Sequence, residues 1–386
     1  MFEALLEIFE IHSLGSLQIS LLSVLPELFL FLAISVLLLV GSSYSTSKRH
    51  GYPMLVKPIA WITIFALGLA FLLVINNPVP HQIIFSGALI VDNFTNFVKA
   101  VVLLSSIACL AVSLDYIKQE RIHAFEYSIL ILFAVVGMLL LVSSYDLITL
   151  YLAIEMVSLS SYVLATFKRQ SAFSTEAGLK YFILGAFSSG LLLFGSSMVY
   201  GLTGTTNFGQ ISQYLSGTSG DPELISTGLV IGVLFIGMAL LFKATAAPFH
   251  MWAPDVYEGA PTIVSTFFAV VPKIAILGLF IRLFMFSFYD LVGFWQQLLV
   301  FSSLTSMVLA ALIALKQRKL KRFFAYSSVG HVGYLLVGFS TGTLEGIYAM
   351  LIYSIIYIVM TLNAWTFILS TELESKGRGT YFTDLG

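Results

Sequence analysis

Charged residues are scarce. Asp, Glu, Lys and Arg make up only 10% of the 386 residues, against about 25% in soluble domains. With 58% of the chain hydrophobic, a water-soluble globule would have to expose most of its apolar side chains, so that class is excluded. Disordered, collagen-like and coiled-coil chains need polar or charged residues that are missing here. A single cysteine, Cys109, excludes a disulfide scaffold and a cysteine-ligated metal site or iron–sulfur cluster. No dinucleotide fingerprint follows a strand pattern. The net charge of −1 supplies no basic field for nucleic acid. What remains is a polytopic all-α membrane protein, and the mean hydropathy of +0.96 agrees.

A membrane-spanning helix needs roughly 20 mostly apolar residues. Eleven runs meet that length, at 21–41, 58–76, 92–114, 125–143, 146–166, 177–203, 224–247, 262–285, 291–315, 323–341 and 345–370. They are too long and unbroken to be barrel strands, which alternate over about ten residues. Connections are short and no extramembrane domain is evident, so 1–386 reads as a single polytopic domain. Residues 1–20 hold Glu3, Glu7 and Glu10 but no Lys or Arg, the wrong charge for a secretory or transit segment. The first run is therefore expected to stay as a span. Such a chain fits synthesis where it is inserted, in a bacterium or inside an organelle.

Orientation follows from loop Lys and Arg. Fourteen of the 19 lie after odd-numbered spans or in the tail: Lys48, Arg49, Lys57, Lys118, Arg121, Lys168, Arg169, Lys316, Arg318, Lys319, Lys321, Arg322, Lys376 and Arg378. The opposite side has only Arg282. The basic side is expected to be cytoplasm or matrix, with the N-terminus on the far side. The densest basic stretch, Lys316–Arg322, has a topological role by the same rule, and an anionic lipid would suit it.

The arithmetic leaves Lys99, Lys180, Lys243, Lys273, Glu27 and Glu155 within spans. A charge at a helix centre costs at least ~2.5–3.5 kcal/mol on insertion scales, so each needs a reason. Lys99 lies early in span three and is expected to snorkel to the outer interface. Glu27, after Pro26, reads as a capped or structural group near the outer face. Lys180, four residues into span six, fits a snorkelling lysine as well as a working one. His331 alone fits a packing histidine. Glu155, Lys243 and Lys273 are harder to dismiss. Lys273 follows Pro272, which frees a backbone carbonyl and kinks the helix.

Span seven is the most informative. Lys243 and His250 flank Pro248 in a stretch longer than one straight span requires. A helix broken at membrane depth is tolerated only where it lines protein or a water cavity, and transporters build ion sites at such half-helix ends. A desolvated lysine can take and release protons, a nearby carboxylate shifts that balance, and histidine exchanges protons at ambient pH. Glu155, Lys243, Lys273 and His331 thus form a candidate horizontal proton relay. Trp61, Trp295 and Trp365 suit span-end anchors, whereas Trp252 is expected to pack beside the helix break.

Four stretches carry a resemblance: Tyr145–Glu155 (YDLITLYLAIE), Ser174–Gly190 (STEAGLKYFILGAFSSG), Pro248–Pro261 (PFHMWAPDVYEGAP) and Ala325–Tyr334 (AYSSVGHVGY). They resemble the antiporter-like subunits of respiratory complex I, NADH:ubiquinone oxidoreductase, of the mitochondrially encoded subunit-2 type. The match spans nearly the whole chain and is strongest over 115–385. The resemblance implies a proton-pumping membrane-arm subunit with no redox centre. FMN, iron–sulfur clusters, NADH and ubiquinone then belong elsewhere in the complex. It implies that Glu155 pairs with and modulates Lys243, that Lys180 joins the relay, and that Lys273 passes protons laterally with His331; His250 matches a family histidine. It divides the chain into a three-helix segment over 21–114, a first five-helix repeat over 125–285 and a partial second repeat over 291–370. Family members have about fourteen spans with a second broken helix in span twelve. The chain stops before it, which raises the expectation of a truncation or of a separate polypeptide supplying spans twelve to fourteen.

The partners implied are other membrane-arm subunits, including neighbouring antiporter-like ones, and lipids such as cardiolipin. The implied location is the mitochondrial inner membrane, with the N-terminus on the intermembrane-space side, or a bacterial inner membrane. Two rivals share the fold: an autonomous cation/proton antiporter, and a non-catalytic scaffold between pump subunits.

Overall fold

The computed structural model describes residues 20–44, 55–77, 81–119, 125–218 and 226–374. Glu3, Glu7, Glu10, Lys48, Arg49, Arg121, Lys376 and Arg378 lie outside them. The described chain is almost entirely helical. Three helices come first, α1 (Leu25–Tyr44), α2 (Val56–Ile75) and α3 (Asn93–Gln119). Then follow α4 (Glu126–Ser143), α5 (Leu147–Ala165), α6 (Ala172–Thr203), α7 (Phe208–Thr218) and α8 (Thr227–Ala244). The remainder are α9 (Ala253–Gly259), α10 (Thr262–Arg282), α11 (Val292–Ala314), α12 (Leu320–Ser340) and α13 (Leu344–Glu374).

Among the described residues, ten helices are long and apolar enough to cross a membrane. The tenth run of the sequence, 323–341, is α12. It is helical but more polar, since Lys321, Arg322, three serines and His331 dilute its leucines and valines. Two short elements escaped the sequence reading. One is an antiparallel hairpin, β1 (Gln82–Ile84) and β2 (Leu89–Val91), with Gln82 opposite Val91. Three-residue strands are too short for a readable alternation. The other is α7, whose apolar face packs inward through Phe208, Ile211 and Leu215.

The helix α10 is the centre of the molecule: all its residues but Pro272 and Arg282 are buried. It packs on α3, α4 and α13 and is apolar all round, as a fully buried helix must be. The helices α6 and α8 come close because glycines face each other. A Cβ on Gly195 would meet the Gly232 carbonyl oxygen at 2.6 Å, so no side chain fits there. Such small-residue contacts let membrane helices approach.

Side chains correct the expectations for Lys99, Trp295 and Trp365. Lys99 does not snorkel: it is 1% exposed, with its ammonium 2.6 Å from Glu27 Oε1. Two charges that would each be costly in lipid instead neutralise one another between α1 and α3. Trp295 and Trp365 are not span-end anchors but fully buried. Trp295 Nε1 donates to the Phe288 carbonyl at 2.8 Å. Arg282 is held by Asp92 at 2.6 Å just before α3.

Candidate proton-transfer site

The break after span seven begins where α8 stops at Ala244. Thr245 is left-handed, with φ +67°, and the helical ladder ends. Pro248 follows a cis peptide bond from Ala247 and has no N–H to continue it. The freed backbone groups are recaptured. Ala247 N–H donates to Ser306 Oγ at 2.7 Å, and Ser302 Oγ donates to the Ala247 carbonyl at 2.7 Å. Trp252 Nε1 donates to the Phe242 carbonyl at 3.0 Å. Trp252 therefore caps the broken end as well as packing on it, which meets the expectation for this residue.

Lys243 sits one residue before the last helical position. Its ammonium donates to Ser158 Oγ at 2.7 Å and to Tyr162 Oη at 3.4 Å, and lies 5.8 Å from the Tyr162 ring centroid. Glu155 is on the same face of α5, because residues 155, 158 and 162 are spaced i, i+3 and i+7. Yet its carboxylate makes no ion pair with Lys243. Glu155 Oε1 is buried without a hydrogen-bond partner, while Ser158 takes the lysine. The expected direct pair is thus replaced by a hydroxyl contact.

Lys273, 2% exposed, forms a second centre with α12 and α13. Its ammonium donates to Ser328 Oγ and to Tyr357 Oη at 3.4 Å, and lies 5.6 Å from the Tyr357 ring centroid. Tyr357 Oη is 3.0 Å from Ser328 Oγ and donates to the Ala269 carbonyl at 2.9 Å. That carbonyl lies four residues before Lys273, on the proline-containing helix. His331 joins through its ring, 5.3 Å from that of Tyr357, and its Nδ1 is 2.7 Å from Tyr353 Oη. Lys273 and His331, far apart in sequence, are thereby gathered around one tyrosine.

Two predicted residues stand apart. Lys180 is 43% exposed along its side chain, with Asp255 and Glu176 each at 2.8 Å. It belongs to a charged cluster in which Glu258 holds Lys319 and Arg322, the latter at 2.9 Å, and Asp255 reaches Arg322 at 3.1 Å. His250 is half-buried in the break, its Nδ1 unpartnered and its ring 6.2 Å from that of Tyr326. Among the described residues, no group of three His, Cys, Asp or Glu side chains could hold a metal ion.

The hydroxyl partners Ser158, Tyr162, Ser328, Tyr353 and Tyr357 were missed from sequence. Helical spacing could have found them, since Ser328 precedes His331 by three and Tyr353 and Tyr357 are four apart. Serines and tyrosines are too common in spans for that spacing to single them out.

A multi-helix membrane bundle with a broken helix beside one lysine and a second lysine buried among hydroxyls has the architecture of an ion-translocating protein. Comparison with known proteins gives the particular family. Residues 144–386 match the family described as NADH:quinone oxidoreductase/Mrp antiporter, TM. NADH-ubiquinone oxidoreductase chain 2 of Marchantia polymorpha is 50% identical over 369 residues, 95% of this chain and 74% of that protein. NADH-quinone oxidoreductase subunit N of Paramagnetospirillum magneticum is 43% identical, over 93% of this chain and 72% of that protein. A chain of respiratory complex I from Thermus thermophilus superposes with a TM-score of 0.72 at 29% identity, covering 90% of this chain and 70% of that one. A chain of the Mrp complex from Dietzia sp. shares the fold, with a TM-score of 0.74 at 21% identity over 91% of this chain and 65% of that one. The chain belongs to the NADH:quinone oxidoreductase/Mrp antiporter membrane family.

Proposed function

We propose that the chain is the subunit-2-type, proton-translocating membrane-arm subunit of a respiratory NADH:ubiquinone oxidoreductase. Proton movement is driven by quinone reduction in other subunits, which carry FMN, the iron–sulfur clusters and the NADH site. The observation that carries this reading is the company kept by the two lysines. Lys243 and Lys273 bond hydroxyls, not carboxylates. A lysine locked to a carboxylate keeps its proton, whereas one held by neutral hydroxyls in a desolvated site can release it. Glu155, close by but not bonded, supplies a charge whose approach or withdrawal biases Lys243. Lys273 passes the proton towards His331. Lys180 and His250 act at the margins, Lys180 in the charged cluster and His250 in the break.

Residues 125–285 and 291–370 are read as a first repeat and part of a second, after an N-terminal segment at 21–114. The mitochondrial inner membrane is the proposed location, with the N-terminus on the intermembrane-space side; a bacterial inner membrane is the alternative. Neighbouring antiporter-like subunits would cover its flanks. Cardiolipin would meet Lys316 and Arg318, which are exposed.

The test is a native-gel separation of mildly solubilised membranes, stained for NADH oxidation and analysed by mass spectrometry. Peptides of this chain in the NADH-oxidising megadalton band support the reading. Peptides of a companion polypeptide carrying spans twelve to fourteen would identify a split subunit. A chain migrating alone, away from the activity, overturns the reading in favour of an autonomous antiporter.

A further inference from the structure

Where α12 packs on α13, four polar side chains meet as two rungs. Ser328 and His331 share one face of α12 at i, i+3, and Tyr353 and Tyr357 share one face of α13 at i, i+4. Ser328 Oγ lies 3.0 Å from Tyr357 Oη, and His331 Nδ1 lies 2.7 Å from Tyr353 Oη. The first rung holds the ammonium of Lys273. The second lies one turn farther from Lys321 and Arg322, the basic start of α12. Glycines bring the helices close enough for both rungs: a Cβ on Gly346 would collide with the Gly338 carbonyl. Gly338 follows His331, and Gly346 precedes Tyr353, by the same two turns.

The two tyrosines act differently on the imidazole. The Tyr357 ring, 5.3 Å from that of His331, fixes where the imidazole sits, but a contact between rings does not distinguish the two nitrogens. The bond to Tyr353 does. A neutral imidazole has one N–H donor and one acceptor nitrogen, and the hydrogen bond made by one nitrogen sets the role of the other. The phenol is neutral, so it holds the ring without trapping the proton as a carboxylate would. Lys273 from α10 shares the Tyr357 ring with His331. The other neighbours of α12 add no unpaired acid: α11 carries no charged residue, and Asp255 and Glu258 of α9 hold Lys180, Lys319 and Arg322. The one tyrosine of α9, Tyr257, turns its ring to Trp252 and Trp365.

We propose that Tyr353 is a positioning residue that holds Nδ1 of His331 and so makes Nε2 the nitrogen that exchanges protons with the Lys273 centre. This rests on the relay reading above. With Nε2 as acceptor, the neutral ring carries its proton on Nδ1 and donates it to Tyr353 Oη. Transfer forms one N–H bond at Nε2 while one N–H bond of Lys273 breaks, directly or through water. Release from Nε2 restores the neutral ring with Nδ1–H still on Tyr353. No electron moves, and Tyr353 keeps its own proton throughout.

The test is Tyr353→Phe in the assembled complex, with NADH-driven proton translocation measured as a function of pH. Expected are normal amounts of complex and translocation slowed about tenfold, equivalent to about 1.4 kcal/mol on a barrier. The pH profile should move towards acid, since an imidazolium without its Nδ1 acceptor forms only at lower pH. A packing defect would lower the rate without moving the profile. Tyr348→Phe, which removes an exposed hydroxyl from the same helix, should change neither quantity. In a His331→Ala background, Tyr353→Phe should have no further effect, because the two residues act as one unit; independent losses overturn the proposal. A wild-type rate and profile for Tyr353→Phe beside a defective His331→Ala overturn the role of Tyr353 and leave the relay standing. Wild-type translocation in His331→Ala removes His331 from the relay, and this proposal with it. If Tyr353→Phe does not assemble, Tyr353→Gln and Tyr353→Leu are compared: translocation kept only with glutamine, which can still accept from Nδ1–H, supports the positioning role, and equal rates overturn it.

Discussion

Tyr357 Oη lies 3.4 Å from Lys273 Nζ, and the ring of the same tyrosine lies under that ammonium. Tyr357 thus solvates a charge that has no carboxylate partner among the described residues, and it does so from α13, the last described helix. The same ring touches His331. One side chain therefore sets the position of both titratable groups of the second centre.

Removing that solvation should be felt in both stability and transport. Hydrogen bonds to charged groups contribute about 1.5–3 kcal/mol. Tyr357→Phe also leaves the Ala269 carbonyl without its side-chain donor. The expected result is a lower melting temperature of the solubilised complex and slower proton translocation. Ser328→Ala should act in the same direction. Differential scanning calorimetry of the purified complex checks the first effect, and a pH-sensitive dye in vesicles the second.

Gly185 separates positioning of Lys243 from general helix packing. A Cβ at Gly185 would collide with the Tyr162 hydroxyl, whereas a Cβ at Gly190, farther along α6, meets nothing within 4 Å. Gly185→Ala should displace Tyr162 and lower translocation several-fold. Gly190→Ala should leave it unchanged and stabilise the helix by up to ~1 kcal/mol. Equal effects of the two variants would refute the positioning role of Tyr162.

The Glu27–Lys99 pair gives a prediction about assembly. Removing one partner of a buried ion pair strands a charge and costs about 3–5 kcal/mol, while replacing both by neutral groups is often tolerated. Lys99→Met alone should deplete the complex on native gels. Glu27→Gln together with Lys99→Met should restore most of it. If the double variant is no better than the single one, the pair has a role beyond neutralisation.

The span pattern was legible in sequence because hydrophobic length is a property of single segments. The break was legible through Pro248, and the burial of Lys273 through its place deep in an apolar run. Side-chain partners were not. Whether Lys99 reaches lipid headgroups or Glu27 depends on how α1 and α3 pack. Likewise Glu155 and Ser158 share one face of α5, and which of them meets Lys243 depends on where α8 ends beside that face, which no single segment shows. The exposed setting of Lys180 follows from Asp255, contributed by α9 after the break, and no local pattern reveals that contact.

The central claim is that Lys243 and Lys273 carry protons. It is tested most directly by the ratio of protons translocated to electrons transferred in the assembled complex. Lys243→Ala and Lys273→Met should each leave the complex present on native gels and able to pass electrons from NADH to an artificial acceptor, with a clearly lower proton-to-electron ratio during quinone reduction. A wild-type ratio in both variants would contradict the claim and leave the chain as a scaffold within its complex.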